Sequence, residues 1–326
     1  MCIRDRNSAI IKKIVREMGG TIEKIVPERS CFLIKIAGEK ILFSRKFQIA
    51  SDFFSGRALT AHKDLTYVAL KENDLPTPGS VCFYKKSIST KNIATELALL
   101  NYPIVIKDAN GSNSKGVFVN IKNLVEAKEI IFQEINNFPY LIAQEMVFSK
   151  EFRVLVLGNK VIGVLEMIPP RVFGNAKNTI RELIEIKQLK MSRKTACDIT
   201  LNKILELQGF NFESILKKDQ TVFIKNNACL AEGGETKDAT SLINLNIEIL
   251  CVKAAKATGK NLAGIDIICD DISKNPSEQA FSILEINGKP DLYIHYNPTH
   301  GKTQNVIKPI IDFILSLKKT GISSGY

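Results

Sequence analysis

Two short apolar runs, Gly264-Ile265-Asp266-Ile267-Ile268 and Ser282-Ile283-Leu284-Glu285-Ile286-Asn287, constrain this chain more than any other stretch. Both are rich in aliphatic and β-branched residues, as buried strands are, yet each carries acceptor side chains inside the run. A buried carboxylate pairs with a cation or shifts its pKa, and neither run holds a Lys or Arg to serve. Glu285 and Asn287 alternate onto one face of a strand, and an adjacent strand can bring Asp266 alongside. Two carboxylates and an amide oxygen form a hard oxygen site. Such a set suits Mg²⁺, which keeps some waters and takes its remaining ligands from substrate phosphates. Nucleotide chemistry is therefore expected; the plain alternative is a pair of core strands whose polar residues face solvent.

The rest of the composition narrows the class. With 326 residues and 45% apolar content the chain can bury a sizeable core in two or three globular units. The net charge of +11 comes from lysines spread along the sequence, which suits a Lys-rich surface or a positive field around an anionic ligand. There is no aromatic-and-basic pattern of the kind single-strand binders use, so no nucleic-acid partner is expected. The seven cysteines are odd in number, widely spaced and without a Cys-x-x-Cys pair, which argues against a disulfide framework or zinc site and for a reducing cytoplasm. Only His62, His295 and His300 are available for a histidine metal centre. No apolar run approaches the roughly 20 residues a bilayer span needs, so no membrane partner is expected either.

Along the chain, Ser8 to Met18 has helical spacing, and Cys31–Ala37 with Lys40–Ser44 reads as a hairpin, giving a small α+β entry unit. A second helical stretch covers Ser51 to Leu70. Helical spacing also marks Thr90 to Leu100, Ile247 to Thr258 and Val306 to Leu317, with a helical tendency from Lys187 to Phe212. Pro103–Lys107, Leu141–Val147 and Thr221–Lys225 read as strands, and Phe152–Leu157 with Val161–Glu166 as a hairpin across Gly158-Asn159. Thr179 or Asn178 is placed to cap a helix. Leu292 to Lys302, which holds His295 and His300, reads as an irregular, solvated loop that could also face substrate.

Lys107 ends a buried strand and is followed by Asp108-Ala109-Asn110-Gly111-Ser112-Asn113-Ser114-Lys115-Gly116. A loop of this composition can fold backbone N–H groups over phosphates, with a lysine at its base as a point charge. It is not a Walker loop, because no Gly-Lys-Ser/Thr opens a helix. Downstream, Gln144-Glu145-Met146-Val147 closes a strand whose end can meet an adenine edge. Glu151 can accept from ribose hydroxyls, and Arg153 can meet phosphate as a planar fork.

In this order and spacing, the chain from about Ser51 to Leu317 resembles an ATP-grasp ligase, most of all the cyanophycin synthetase and bifunctional glutathione synthetase branch. The matching residues include His62-Lys63-Asp64, Pro103 to Lys107, Gly111 to Val117, Arg153-Val154-Leu155-Val156 and Ile168-Pro169-Pro170. They continue through Gly174-Asn175, Thr179 to Ile184, Gly233-Gly234 with Asp238 and Thr240, Ala263 to Asp266, and Leu284 to Asn287.

The resemblance implies an α+β ATP-grasp fold: a short entry unit over 1–50, an ATP-grasp domain over 51–317 and a tail over 318–326. Within the domain it implies an ATP-lid part at about 75–147 and a metal- and substrate-binding part at about 148–317. It implies that Lys63 and Lys107 hold the ATP phosphates under a loop containing Ser112, Asn113, Ser114 and Gly116. Gln144, Glu145, Met146 and Val147 would grip adenine, and Glu151 the ribose. Asp266, Glu285 and Asn287 would hold two Mg²⁺ or Mn²⁺ ions, while Gly233, Gly234 and His295 face substrate. The γ-phosphoryl group would pass to a substrate carboxylate, and an amine would attack the acyl phosphate, giving an amide or peptide bond with ADP and phosphate. Metal and arginine neutralise the transferring group while water is excluded.

Arg153 and Arg171 are the candidate catalytic residues. Met167 stands where such relatives carry an arginine before Ile-Pro, and Arg171 is expected to replace its charge from the other side. Asn175 stands where an acidic residue is common, Cys229-Leu230-Ala231-Glu232 replaces an Asn-Leu-Ser-Thr run, and Pro290 is followed by Asp291 instead of glycine. The expected partners are a small carboxylate and an amine, an amino acid or peptide, and a homo-oligomer is compatible with all of this. Two other readings stay open: an ATP-grasp piece of a larger ligase, and a basic nucleotide-binding module without catalysis.

Overall fold

A computed structural model of the chain describes residues 3–26, 31–44, 52, 54–88, 92–111, 116–189 and 199–319. In chain order its first elements are α1 (Ile3–Glu17), β1 (Thr21–Val26), β2 (Cys31–Ile36), β3 (Glu39–Ser44), α2 (Phe54–Leu59), α3 (Lys63–Lys71) and β4 (Ser80–Tyr84). Next come α4 (Ile93–Leu97), β5 (Ile104–Asp108), β6 (Val117–Ile121), α5 (Leu124–Glu134), β7 (Tyr140–Glu145), β8 (Lys150–Leu157), β9 (Lys160–Ile168) and β10 (Arg171–Phe173). The chain closes with α6 (Ile180–Leu189), α7 (Ile199–Leu207), β11 (Thr221–Phe223), β12 (Glu235–Asp238), α8 (Leu245–Ala257), β13 (Leu262–Cys269), β14 (Phe281–Asn287), α9 (Tyr293–Tyr296) and α10 (Ile307–Lys319). The described residues divide into a first unit drawn from 1–165, 238–297 and 302–326, and a second from 166–237 and 298–301.

In the first unit the entry sheet is antiparallel in the order β1-β2-β3. The β2–β3 hairpin is the expected one, but β1 was not expected from sequence. Its Thr21, Glu23, Lys24 and Ile25 are exposed, so it carries almost no buried apolar pattern and is held mainly by its backbone ladder to β2. Helix α1 buries Ile10, Ile11, Ile14 and Val15 against Phe32 and Ile34 of β2 and Ile310 and Ile311 of α10.

The antiparallel sheet β4-β7-β5-β6 packs Phe83, Ile104, Ile106 and Leu141 against Leu97 of α4 and Ile131 of α5. Asn123 caps α5 by accepting from the Glu126 amide at 3.0 Å, and the Glu126 carboxylate accepts from the Lys122 amide at 2.9 Å, satisfying two end donors reciprocally. The expected single helix over Ser51–Leu70 is two, α2 and α3, with the Thr66 hydroxyl donating to the Leu59 carbonyl at 2.7 Å across the break.

The third sheet runs β12-β9-β8-β13-β14. From Phe152 onward strand β8 is apolar except at Arg153, because both faces are covered: Val154 and Val156 meet α8 through Ile247, Cys251 and Ala255, while Leu155 and Leu157 join the cluster under α10. In the register, Asp266 of β13 lies opposite Arg153 on one side and Glu285 of β14 on the other. A bulge follows immediately, pairing Ile267 with Ile283 and re-aiming the strand end that carries Glu285 and Asn287.

The second unit has the two-stranded sheet β10–β11 and helices α6 and α7 around Val172, Ile180, Ile184, Leu205, Leu216 and Val222. Thr179 is the cap of α6: its hydroxyl accepts from the Glu182 amide at 3.3 Å, and Glu182 accepts from the Thr179 amide at 2.9 Å. These bonds hold the Glu182 carboxylate below its ordinary range, with Asn178 the largest contributor. No helix among the described residues is long and apolar enough to cross a membrane.

Candidate active site

The first unit gathers three cations and three carboxylates on β5, β8, β13 and β14 and at the start of α3. Lys63 opens α3. Its backbone amide donates to the Ala109 carbonyl at 2.9 Å, and its ammonium donates to the Gly111 carbonyl at 2.6 Å and lies 3.7 Å from the Glu285 carboxylate. The base of the Gly/Ser/Asn loop is thereby clamped to this helix. Ser112, Asn113 and Ser114 lie outside the described residues. Gly116, at the far end, has φ of +64° and gives its carbonyl to the Asp108 amide at 2.9 Å, closing the loop against β5.

Lys107 projects from β5, and its ammonium donates to the Gln144 side-chain oxygen at 2.8 Å. Gln144, itself buried, is oriented by donating its own amide to the Ser80 hydroxyl at 3.0 Å. Burial lowers the Lys107 ammonium to about 8, because Glu285, Asp266 and Glu151 only partly compensate and Lys63 opposes. Gln144, expected at adenine, is in this structure the fixed partner of Lys107. Glu145 accepts from the Asn101 amide and side chain, both at 2.8 Å, against the bare Cα of Gly79. The Met146 amide donates to the Pro103 carbonyl at 3.0 Å, and Val147 follows just past the end of β7.

Arg153 and Asp266 form a two-point pair through Nε and Nη2, the second bond measuring 2.8 Å. Burial opposes the arginine's charge, but Asp266, Glu151 and Glu285 outweigh it and raise its pKa. Asp266 is pushed up by burial despite Arg153. Glu151 rises to about 7, through burial first and then the nearby Asp266 charge. It therefore belongs to the carboxylate group as well as being the expected ribose residue, a proximity no linear spacing displays. Gly264, opposite Asn287 in the ladder, makes room for this packing: a Cβ there would stand 3.1 Å from Arg153 Cδ and 3.2 Å from Pro290 Cβ.

Asp266, Glu285 and Asn287 share one corner of the sheet. The donor set, two carboxylates and an amide oxygen beside lysines suited to phosphate, fits a divalent hard cation. In this structure the buried Asp266 pairs with Arg153, and the partly exposed Glu285 lies 3.7 Å from Lys63.

His295 is not in a solvated loop. It belongs to α9, is fully buried, and neither ring nitrogen has a hydrogen-bond partner among the described residues. The expectation failed because the apolar neighbours Leu292 and Ile294, buried beside it, are too few to register as a periodic element.

The other predicted residues belong to the second unit. Arg171 donates from Nη2 to Glu235 at 2.9 Å and stacks on the Phe173 ring at 4.9 Å. Glu235 also meets Lys187 at 3.4 Å and His300 at 2.9 Å. Gly233 ends a short 3₁₀ turn with φ of +97°, and a Cβ on Gly234 would stand 2.7 Å from the Ala228 carbonyl, so both glycines have a backbone reason.

Residues 60–291 match the sequence profile of the ATP-grasp domain. The chain belongs to the ATP-grasp family. Cyanophycin synthetase of Geminocystis herdmanii is 30% identical over 272 residues, 79% of this chain and 30% of that protein. The bifunctional glutathione biosynthesis protein of Clostridium perfringens is 26% identical over 294 residues, 86% of this chain and 37% of the relative. The bifunctional glutathione synthetase structure from Pasteurella multocida superposes with a TM-score of 0.69 at 20% identity, covering 95% of this chain and 44% of that one. That likeness establishes the α+β ATP-grasp fold. The chain spans about a third of the length of the curated relatives it matches.

Proposed function

We propose that this ATP-grasp chain joins a carboxylate to an amine at the expense of ATP, releasing ADP and phosphate. The observation that carries the reading is the interlocked group of Lys63, Lys107 and Arg153 with Glu151, Asp266 and Glu285, since it offers both halves of a phosphoryl-transfer site. Lys63 and Lys107 bind the phosphates, and the Ser112, Asn113, Ser114 and Gly116 loop covers them. Gln144 to Val147 line the adenine side, and Glu151 meets the ribose. Asp266, Glu285 and Asn287 would hold a pair of Mg²⁺ or Mn²⁺ ions, which neutralise phosphate charge when bound.

Arg153 carries its fixed positive charge to the transferring group, and the substrate carboxylate takes the phosphoryl to become an acyl phosphate. Attack by the amine then expels phosphate and forms the amide. The names of the relatives support an amino acid or peptide substrate. Arg171, Gly233 and Gly234 are assigned to the substrate side, and the free thiols among the described residues suit the cytoplasm. The coverage of the relatives favours a second reading as well, in which this chain is the ATP-grasp portion of a larger ligase.

The test is ADP release with Mg²⁺ and ATP against a pooled panel of amino acids, short peptides and small carboxylates, with wild type beside Glu285→Gln. Release that needs both a substrate pair and Glu285 establishes the ligase. Tight Mg-ATP binding without release favours the second reading, and no ATP binding refutes both.

A further inference from the structure

Glu235, the first residue of β12, is the meeting point of three basic side chains of the second unit: Arg171 from β10, Lys187 from the last turn of α6 and His300 from the turn at 298–301. Its Oε2 accepts from Arg171 Nε at 3.2 Å, from Arg171 Nη2 at 2.9 Å and from His300 Nε2 at 2.9 Å. Its Oε1 lies 3.4 Å from the Lys187 ammonium. Burial opposes the charge of this carboxylate, but the His300 and Arg171 bonds outweigh it and hold it below its ordinary range, so it is ionised. An ionised carboxylate only accepts, which places the proton on His300 Nε2. The basic groups are also held from behind. Lys187 donates to the Arg171 carbonyl at 2.7 Å, and the Arg171 guanidinium stacks on the Phe173 ring at 4.9 Å. Thr236 and Thr299 exchange amide-to-hydroxyl bonds of 3.0 Å, and the His300 amide donates to the Thr236 carbonyl at 2.9 Å.

Charge does not balance in this cluster. The Arg171 and Lys187 side chains are only 21% and 23% exposed, and among the described residues Glu235 is the one carboxylate that either meets. Two permanent cations, with an imidazole beside them, thus share a single negative charge. Lys237 adds another cation on the same strand face, two residues along. Partly buried positive charge without a counter-charge is costly, and a cluster serving stability alone is better served by equal numbers. Arg171 spends both Nε and Nη2 on one oxygen, and its Nη1 has no acceptor among the described residues, so the two-oxygen fork a guanidinium offers is only half used. The group already held here is a carboxylate. A second one matches the charge and the donors that remain.

We propose that Arg171, Lys187 and His300 recognise a carboxylate of the substrate other than the one that receives the phosphoryl group, with Glu235 as the internal carboxylate that keeps them oriented. The word substrate rests on the ligase reading above; the carboxylate site itself does not. None of these side chains belongs to the phosphoryl-transfer group of the first unit. At least one of the two substrates therefore carries a free acid group that survives the reaction.

The experiment titrates sodium succinate, and separately sodium phosphate, into the full chain at an ionic strength held constant with sodium chloride. It follows the imidazole Cε1–H resonance of His300, one of three histidines, assigned by its loss in His300→Gln. Succinate is expected to shift it saturably, with a Kd of roughly 1 mM. Lys187→Gln should weaken binding about tenfold and Lys187→Arg should restore it, while Glu235→Gln, which removes the competing charge, should tighten it about tenfold. The absence of a saturable shift in wild type overturns the proposal. So does binding of phosphate without succinate, which marks a phosphate site, or weaker binding in Glu235→Gln, which marks a structural cluster. Undiminished binding in Lys187→Gln overturns it as well. In the ADP-release assay, Lys187→Gln should raise KM for the acid-bearing substrate about tenfold with KM for ATP unmoved. If wild type itself releases no ADP, the ligase reading fails separately, and the succinate titration alone decides the carboxylate site.

Discussion

Asp266→Ala isolates the interaction on which the site turns. The Arg153 and Asp266 side chains are only 16% and 12% exposed and meet through two nitrogens. Removing one partner of such a buried pair leaves the other uncompensated and costs about 3–5 kcal/mol. Glu151 and Glu285 still face the arginine and hold part of its charge, so the lower end, about 3 kcal/mol, is expected here. With a urea m-value of about 3 kcal/mol/M, the midpoint should fall by about 1 M. Arg153→Met alone should also destabilise, because it strands Asp266. The double variant Arg153→Met, Asp266→Ala should lose much less than the sum, since neither charge remains buried alone. The assay is urea unfolding in EDTA, followed by circular dichroism, of all four proteins. A coupling of about 2 kcal/mol or more is expected; single effects that add to the double within about 0.5 kcal/mol refute the buried-pair argument.

Other outcomes follow from the same group. Lys107 is lowered from 10.5 to about 8 by burial. Between those values the unfolded chain keeps a proton that the folded chain has released, so this group makes stability rise with pH across that window, and Lys107→Met should abolish the rise in urea midpoints measured at pH 8 and 10. Glu285→Gln should weaken Mg-dependent ATP binding about tenfold or more by calorimetry while leaving metal-free binding nearly unchanged; equal loss in both would remove Glu285 from the metal site. Gly264→Ala should lower turnover at least tenfold, because its Cβ would press on Arg153 Cδ at 3.1 Å and Pro290 Cβ at 3.2 Å, and wild-type kinetics would show that Arg153 tolerates the shift. Arg171→Ala should lower kcat if its charge substitutes for the one missing at Met167, and unchanged turnover removes it from the mechanism.

Much of this arrangement was legible without coordinates. Polar residues inside apolar runs at Asp266 and Glu285 announced cationic partners, because burying an acceptor demands one, and Lys63 and Arg153 supply them. A lysine at the end of a strand before a Gly/Ser/Asn loop located Lys107, and the residue types at fixed order gave the ATP-grasp fold. Alternation fixed which side chains share a strand face, and Asn178-Thr179 marked a helix start, of which the structure makes Thr179 the cap.

Partnership across the chain was not legible, since contact between distant residues depends on strand register and packing. Sequence offered no sign that Gln144 holds Lys107, that Glu151 joins the carboxylates, or that Arg153 takes Asp266 instead of standing free. Strand β1 escaped because an exposed strand carries little hydrophobic period, and His295 escaped because a four-residue turn has none at all. The chain's chemistry and its order of elements were thus set locally, by side-chain period and the cost of burying charge. Which cation meets which carboxylate, and which imidazole finds no partner among the described residues, was decided only when the sheet brought them together.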